Sequence, residues 1–250
     1  MNFHMRPLRN FSACCILTVF FASCGAPSTA PATASSSGRD QWGHRPGPKG
    51  FKTVIIDAGH GGKDSGAISP STGQKEKDLT LDMAKRLRGE LSGEFKTILM
   101  RDDDTFVDLD ERVTRANQYG GVLVSMHFNS GPSGIRGPET YYWRVDSHGL
   151  AVRCQQAMNS VCPDKSGNRG LVRRRIRLTR NPEIPCLLLE GGYLSNATEA
   201  RLCADPGYRQ KLAHAIAGAI RTQAAIGDAG TGPLPSPLYE PPSRPTDTRE

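Results

Sequence analysis

The sequence predicts an α/β protein, a single domain built on a twisted, mostly parallel sheet with helices on both faces. Two observations carry this. Short β-branched and apolar runs alternate along the chain with stretches whose apolar residues recur every three or four positions, which is the pattern of strand and helix in turn. The central run is apolar without alternation, as a strand covered on both faces is. Glycine or polar residues close the most apolar runs, which sets loops at the carboxyl ends of the strands, the edge where such sheets bind ligands.

The elements follow in order. Thr53 to Ile56 is a β-branched run that reads as a buried strand. Asp57 to Gly62 breaks it, with Gly59, Gly61 and Gly62 permitting a tight turn around His60. Lys77 to Leu91 carries Leu79, Met83, Leu87 and Leu91 on one helix face, with Glu76 at its amino end, where the helix dipole favours a carboxylate. Lys96 to Met100 is a second strand. Asp108 caps a helix running to about Tyr119, with Glu111 three residues on. Gly121 to Phe128 is the central strand, ending in His127-Phe-Asn129-Ser130. Glu139 to Arg144 reads as a strand and Ser147 to Val161 as a helix. Arg175 to Leu178 alternates as a half-exposed strand does. Pro185 to Tyr193 is a short buried strand stopped by Gly191 and Gly192, with Glu190 at its carboxyl end, and Tyr208 to Ile226 is the last helix.

The ends differ in character. Residues 1–23 have a basic start at Arg6 and Arg9 and an apolar stretch from Phe11 to Phe21, too short to span a bilayer as a stable helix; this is the organisation of an export signal. Phe-Ala-Ser-Cys24 at its end is similar to the lipobox of bacterial lipoproteins, which predicts a lipid anchor at Cys24; plain cleavage near Ser23 or Ala26 is the competing reading. Residues 24–50, rich in Ala, Ser, Pro and Thr, read as a flexible tether, and residues 227–250 as a disordered Pro-rich tail. About 175 residues remain for the domain, 51–226, enough for one well-buried core. The formal charge of +7 over 250 residues favours polyanionic surfaces without choosing among nucleic acid, acidic lipid and cell wall. Export weighs against nucleic acid, as does the lack of aromatics within the arginine-rich stretch 168–180. That stretch is either a basic wall for an anionic polymer or peptide carboxylate, or a solvated strand face. Cys154, Cys162, Cys186 and Cys203 remain after the leader. In an exported protein they allow three pairings, and small apolar packing is an equal alternative.

A histidine and a glutamate brought together by a strand end and a helix start suggest a metal site. For His60 and Glu76 by themselves a satisfied polar loop is the simpler reading. His127 and Glu190 change this, because each ends a separate strand at the same edge of the sheet. The remaining histidines, His4, His44, His148 and His214, read as surface or packing residues. Asp57, Asp64 and Asp78 are candidates for orienting a ligand, and Asn129 and Ser130 for lining the pocket.

Over residues 53–222 the chain resembles the zinc-dependent N-acetylmuramoyl-L-alanine amidases of the bacterial cell wall. The likeness rests on Ile-Asp-Ala-Gly-His60-Gly-Gly-Lys-Asp-Ser-Gly, Glu76-Lys-Asp-Leu, Ser-Met-His127-Phe-Asn-Ser, Gly137-Pro-Glu-Thr-Tyr-Tyr, Asn168-Arg-Gly-Leu and Leu-Leu-Glu190-Gly-Gly-Tyr-Leu-Ser-Asn196. The resemblance implies that His60, Glu76 and His127 bind one zinc and that Glu190 is the catalytic carboxylate. Two histidines and a glutamate are a usual set for catalytic zinc, with one position left open. The implied reaction is hydrolysis of the amide between N-acetylmuramic acid and L-alanine in peptidoglycan. Phe128 stands where the family has a small residue, and Gly192 and Tyr193 depart from its usual sequence. The long helical insert by which some relatives are plugged is not expected between His127 and Ser147, so the site is expected to be open without a partner. Two other readings use the same residues: a zinc peptidase acting within the stem peptide, and a non-catalytic wall-binding module.

Overall fold

The computed structural model describes residues 46–163 and 167–235. The segment read as an export signal, Cys24, His4, His44, the expected tether up to residue 45 and the expected tail from 236 lie outside these residues. Six strands, β1 (Thr53–Ala58), β2 (Lys96–Leu99), β3 (Val122–Asn129), β4 (Glu139–Tyr142), β5 (Gly170–Arg173) and β6 (Cys186–Tyr193), form one sheet in the order β2-β1-β3-β6-β4-β5. Every neighbouring pair is parallel except β4 with β6. The helices are α1 (Glu76–Leu91), α2 (Leu109–Tyr119), α3 (His148–Val161), α4 (Arg177–Arg180), α5 (Ala197–Ala204) and α6 (Pro206–Ile226).

The two-residue period of the strands sorts side chains between the faces. Val54 and Ile56 of β1, Val122, Val124, Met126 and Phe128 of β3, and Leu187 and Leu189 of β6 join the larger core beneath α1, α3 and α6. Ile55, Leu123 and Cys186 face the other way, against Ala116 of α2 and Leu178 of α4. Along that second face the apolar residues give way to polar ones toward the carboxyl ends: Asp57 on β1, Ser125 and His127 on β3, Glu190 on β6. α2 and α4 are short, and this end of the face holds the site.

Several expected elements differ. The strand expected at 175–178 is instead β5 at Gly170–Arg173, followed by the single turn of α4; pairing with β4 selects the register. β6 does not stop at the glycine pair but runs through it to Tyr193, because the His127–Asn129 irregularity in β3 lets Tyr193 pair with Asn129. The strand from Glu139 ends at Tyr142 rather than Arg144, and a 3-10 turn, Val145–Ser147, leads into α3. α5 was not expected. Asn196 caps it, accepting from the backbone of Thr198 and Glu199 at 3.1 Å. Hydrogen bonds also reach residues on either side of 51–226. Asp228 accepts from Gly47 N at 2.8 Å and from Gln223 at 2.9 Å, and Gly50 N donates to Ala224 O at 2.7 Å. These bonds tie the start of the described chain to the end of α6. Among the described residues Cys154, Cys162, Cys186 and Cys203 are buried, and none of them is joined to another by a disulfide.

Candidate metal centre

Three donors meet at the carboxyl edge of β1 and β3. His60 sits on the turn after β1 with φ of 61°, a conformation unusual for a residue with a side chain. Backbone bonds hold the turn from below. Gly59 N donates to Met126 O at 3.1 Å. The Gly59 carbonyl accepts from Thr80 Oγ1 and Arg101, each at 2.8 Å, and Arg112 donates to the His60 carbonyl at 2.7 Å. Gly59 has to lack a side chain, because a Cβ there would lie 2.3 Å from His127 Cε1. Glu76 opens α1, and its backbone N donates to Ala67 O at 2.8 Å, which closes the loop between the first histidine and the helix.

His60 Nε2 lies 3.0 Å and His127 Nδ1 lies 2.9 Å from the same oxygen, Glu76 Oε1. The three donor atoms fall within 4.8 Å of one another. A tetrahedral zinc with bonds of about 2.0–2.1 Å spaces its ligand atoms about 3.3 Å apart. The donor set and its spacing therefore fit the ion. The supporting bonds fit it too. His60 Nδ1 donates to Asp64 Oδ2 at 2.8 Å, which makes Nε2 the nitrogen that offers its lone pair to a metal once it gives up its proton. Glu76 accepts from Ala67 N at 2.9 Å and Phe128 N at 3.0 Å, which fixes the carboxylate plane.

The charge states follow from this packing. Burial opposes the charged form of His60, but the Glu76 and Asp64 carboxylates outweigh it and raise its pKa to about 9 in the metal-free protein. Burial also opposes ionisation of Glu76, and the two imidazoles overcome it and hold that carboxyl well below the usual range. Asp64 is held low against its partial burial by Gly66 N–H and by His60.

Glu190 lies across a cavity of about 250 Å³ that it shares with His60, Glu76, His127, Tyr141 and Arg174. Glu190 is the Cα partner of His127 on one side and of Glu139 on the other. The structure thus brings the four expected residues to one place. Asn129 and Ser130 line the same cavity. Of the three aspartates, Asp64 bonds an imidazole, whereas Asp57 pairs with Arg112 and accepts from Ser125 Oγ at 2.6 Å. His214 pairs with Glu90 at 2.9 Å on the surface, and His148 begins α3; neither joins the donor cluster.

Four supporting residues were not foreseen. Arg101 and Arg112 are buried and bond the carbonyls of Ala58, Gly59, His60 and Val107. Glu139 is buried and accepts from Tyr193 OH at 2.9 Å, Tyr141 OH at 3.0 Å and Asn129 Nδ2 at 3.3 Å. Glu199 accepts from Gly137 N at 2.8 Å and Tyr193 N at 2.7 Å. The departures from the family pattern have local causes. The hydroxyl of Tyr193 completes the Glu139 cluster. Phe128 is buried against Gly191, where a Cβ would meet its ring at 2.9 Å. Gly191 and Gly192 are themselves buried and pack against Phe128 and Glu199.

The comparisons with known proteins agree with this arrangement. The family model described as N-acetylmuramoyl-L-alanine amidase matches residues 54–222. The protein YqiI of Bacillus subtilis is 35% identical over 175 residues, covering 68% of this chain and 83% of that protein. The probable cell wall amidase LytH of Staphylococcus epidermidis is 34% identical over 174 residues, and the match spans only 57% of its length. The crystal structure of an N-acetylmuramoyl-L-alanine amidase from Clostridium difficile 630 superposes with a TM-score of 0.64 at 33% identity, covering 70% of this chain and 97% of that one. With the family model matched from β1 into α6 and the His60–Glu76–His127 cluster inside the matched region, the chain belongs to the N-acetylmuramoyl-L-alanine amidase family.

Proposed function

We propose that this protein is a zinc-dependent hydrolase that cleaves the amide between N-acetylmuramic acid and L-alanine in peptidoglycan. The observation that carries the reading is the meeting of two imidazoles on one buried carboxylate oxygen, with Glu190 across the same cavity. His60, Glu76 and His127 would hold the ion. When bound, zinc acidifies a water at neutral pH and polarises the scissile carbonyl. Glu190 takes the water's proton and returns it to the leaving amine nitrogen of L-alanine. Asp64 keeps His60 in the tautomer that binds metal, and the anionic, buried Glu76 would offset part of the ion's charge. Glu139 holds Asn129 and Tyr141, which line the cavity with Glu190.

The wall substrate fits an exported protein. On this reading residues 1–23 direct export, Cys24 carries a lipid anchor, and the following residues tether the domain within reach of the wall. A Cys24→Ala variant should then lose incorporation of labelled palmitate. Between His127 and Ser147 the chain forms a surface loop, β4 and one 3-10 turn, so the site should act without a partner that unplugs it.

The test is digestion of purified wall with identification of the new ends by mass. A free lactyl carboxylate and a free L-alanine amine support the amidase, and a shortened stem supports the peptidase instead. Chelation should abolish cleavage and zinc restore it. Glu190→Gln should keep zinc and lose about 10²–10⁴-fold in turnover, the range for a general base. Unchanged turnover in that variant would sink the role given to Glu190.

A further inference from the structure

Six arginines lie between Asn168 and Arg180, and the structure divides them. Arg173 donates to the Trp143 carbonyl at 2.9 Å and lies over the Trp143 ring. Arg169 lies over Tyr193, and Arg177 pairs with Asp110 at 3.2 Å. Arg175 and Arg180 line a different cavity with Arg144. Arg174 is the one of the six that lines the cavity holding Glu190 and the metal donors. Its root is fixed: its backbone N donates to Tyr142 O at 2.9 Å, and its carbonyl accepts from Thr179 Oγ1 at 3.1 Å. Its tip lies over the Tyr141 ring at 5.9 Å and makes no ion pair among the described residues. Tyr141 is in turn held by Glu139.

A guanidinium without a carboxylate, aimed by an aromatic ring into a reaction cavity, is a receptor for a planar anion. Resting on the amidase reading, the two halves of the substrate differ in the feature that matters. The N-acetylmuramyl ring is uncharged, whereas the stem peptide carries carboxylates. The nearest is the α-carboxylate of the acidic residue after L-alanine, which occurs free or amidated. One residue spans about 3.3–3.6 Å, so this group lies about 7 Å from the scissile amide. A sphere of the cavity's volume, about 250 Å³, is about 8 Å across. The geometry points to Arg174 as a specificity residue that binds this carboxylate in a bidentate pair. It sets the stem on the Arg174 side of the metal. The glycan would then lie toward the neighbouring cavity of about 520 Å³, lined by Asp64, Phe106 and Asp110.

The experiment compares two muropeptides that differ in one group, with D-isoglutamate or D-isoglutamine as the second stem residue. The wild-type protein should favour the free acid by about 10- to 100-fold in kcat/KM, the range for a charge-assisted pair. Arg174→Ala should abolish that preference, chiefly by raising KM for the acid, and Arg174→Lys should keep part of it. Equal cleavage of both substrates by the wild type, or equal slowing of both by Arg174→Ala, overturns the assignment. Calorimetry with the dipeptide L-Ala-D-isoglutamate and its amide gives a reading independent of turnover. If neither muropeptide is cut, the reaction assigned above fails, while a preference for the acid that depends on Arg174 still supports the carboxylate site and its absence overturns it.

Discussion

The site loop is held by a buried cation, and Arg112→Met tests how much depends on it. The Arg112 side chain is 3% exposed and pairs with Asp57, whose side chain is 1% exposed. It also donates to the carbonyls of Ala58 at 2.9 Å, His60 at 2.7 Å and Val107 at 3.0 Å. Methionine fills similar space but removes every one of these bonds. Asp57 would keep Ser125 as its donor and lose its ion-pair partner. Breaking a buried pair from one side costs about 3–5 kcal/mol. For a domain of this size each kcal/mol moves Tm by about 2–4 °C, so the expected fall is about 6–20 °C. Thermal unfolding followed by circular dichroism on metal-free protein measures it. The double variant Asp57→Asn, Arg112→Met should lose clearly less than the two single losses added together, since the orphaned charge is then gone. A fall under about 2 °C, or strict additivity in the double variant, would refute the claim that this pair carries the loop.

Asp64→Asn should leave the fold intact and weaken zinc binding by about 10–100-fold, the usual effect of losing the group that orients a ligating histidine; competition with a chromogenic chelator reads it, and unchanged affinity removes Asp64 from the site. The metal-free protein should show a defined pH dependence. His60 is raised from 6.5 to about 9, so its contribution to stability is complete below about 6.5 and is lost as pH rises through 9. Asp64 is lowered from 3.8, so its contribution is present above that value and lost as pH falls. Stability should therefore peak between these limits and decline toward pH 9, while zinc affinity rises over the same upper range and about one proton leaves per ion near neutrality. Titration calorimetry in buffers of different ionisation enthalpy counts that proton, and a count of zero contradicts the charge state given to His60. Gly191→Ala should destabilise by about 1–3 kcal/mol through overpacking against Phe128, and Phe128→Leu in the same chain should relieve part of the loss; a neutral Gly191→Ala would mean that the ring yields freely.

What could be read in the sequence follows from how each residue announces itself. β1, β3 and the first half of β6 are apolar on both faces, and nothing but a central strand accounts for them. His60, His127 and Glu190 each close such a run, so the edge of the sheet gathers them whatever the loop details. Arg112 gave no such signal. It lies on the same face of α2 as Ala116, four residues on, where an arginine reads as a surface charge until the Asp57 carboxylate is seen beneath it. Glu139 was hidden for a related reason. A single acid at the start of a four-residue strand looks solvent-facing, and its three donors come from β3, β4 and β6, far apart along the chain. β5 was misplaced because alternation at 175–178 fits a strand locally, while its register is decided by β4. The continuation of β6 through two glycines depends on the irregularity in β3, which no local pattern encodes.

The position of the site reflects a division of labour between the two faces of the sheet. Alternation commits Val124, Met126 and Phe128 to the thick core and delivers Ser125 and His127 to the opposite face. That face is covered by short α2 and α4, which leave the carboxyl end of the strands without an apolar lid. A loop there must turn sharply after β1, so the carbonyls of Ala58, Gly59 and His60 point into a region with few backbone donors. Arg101 and Arg112 supply those donors from the chain segments after β2 and within α2. Buried guanidinium groups need acids nearby, and Asp57 provides one for Arg112. Two histidines and a glutamate can then be kept within bonding range of one point, since their loop is anchored by groups that take no part in binding the metal.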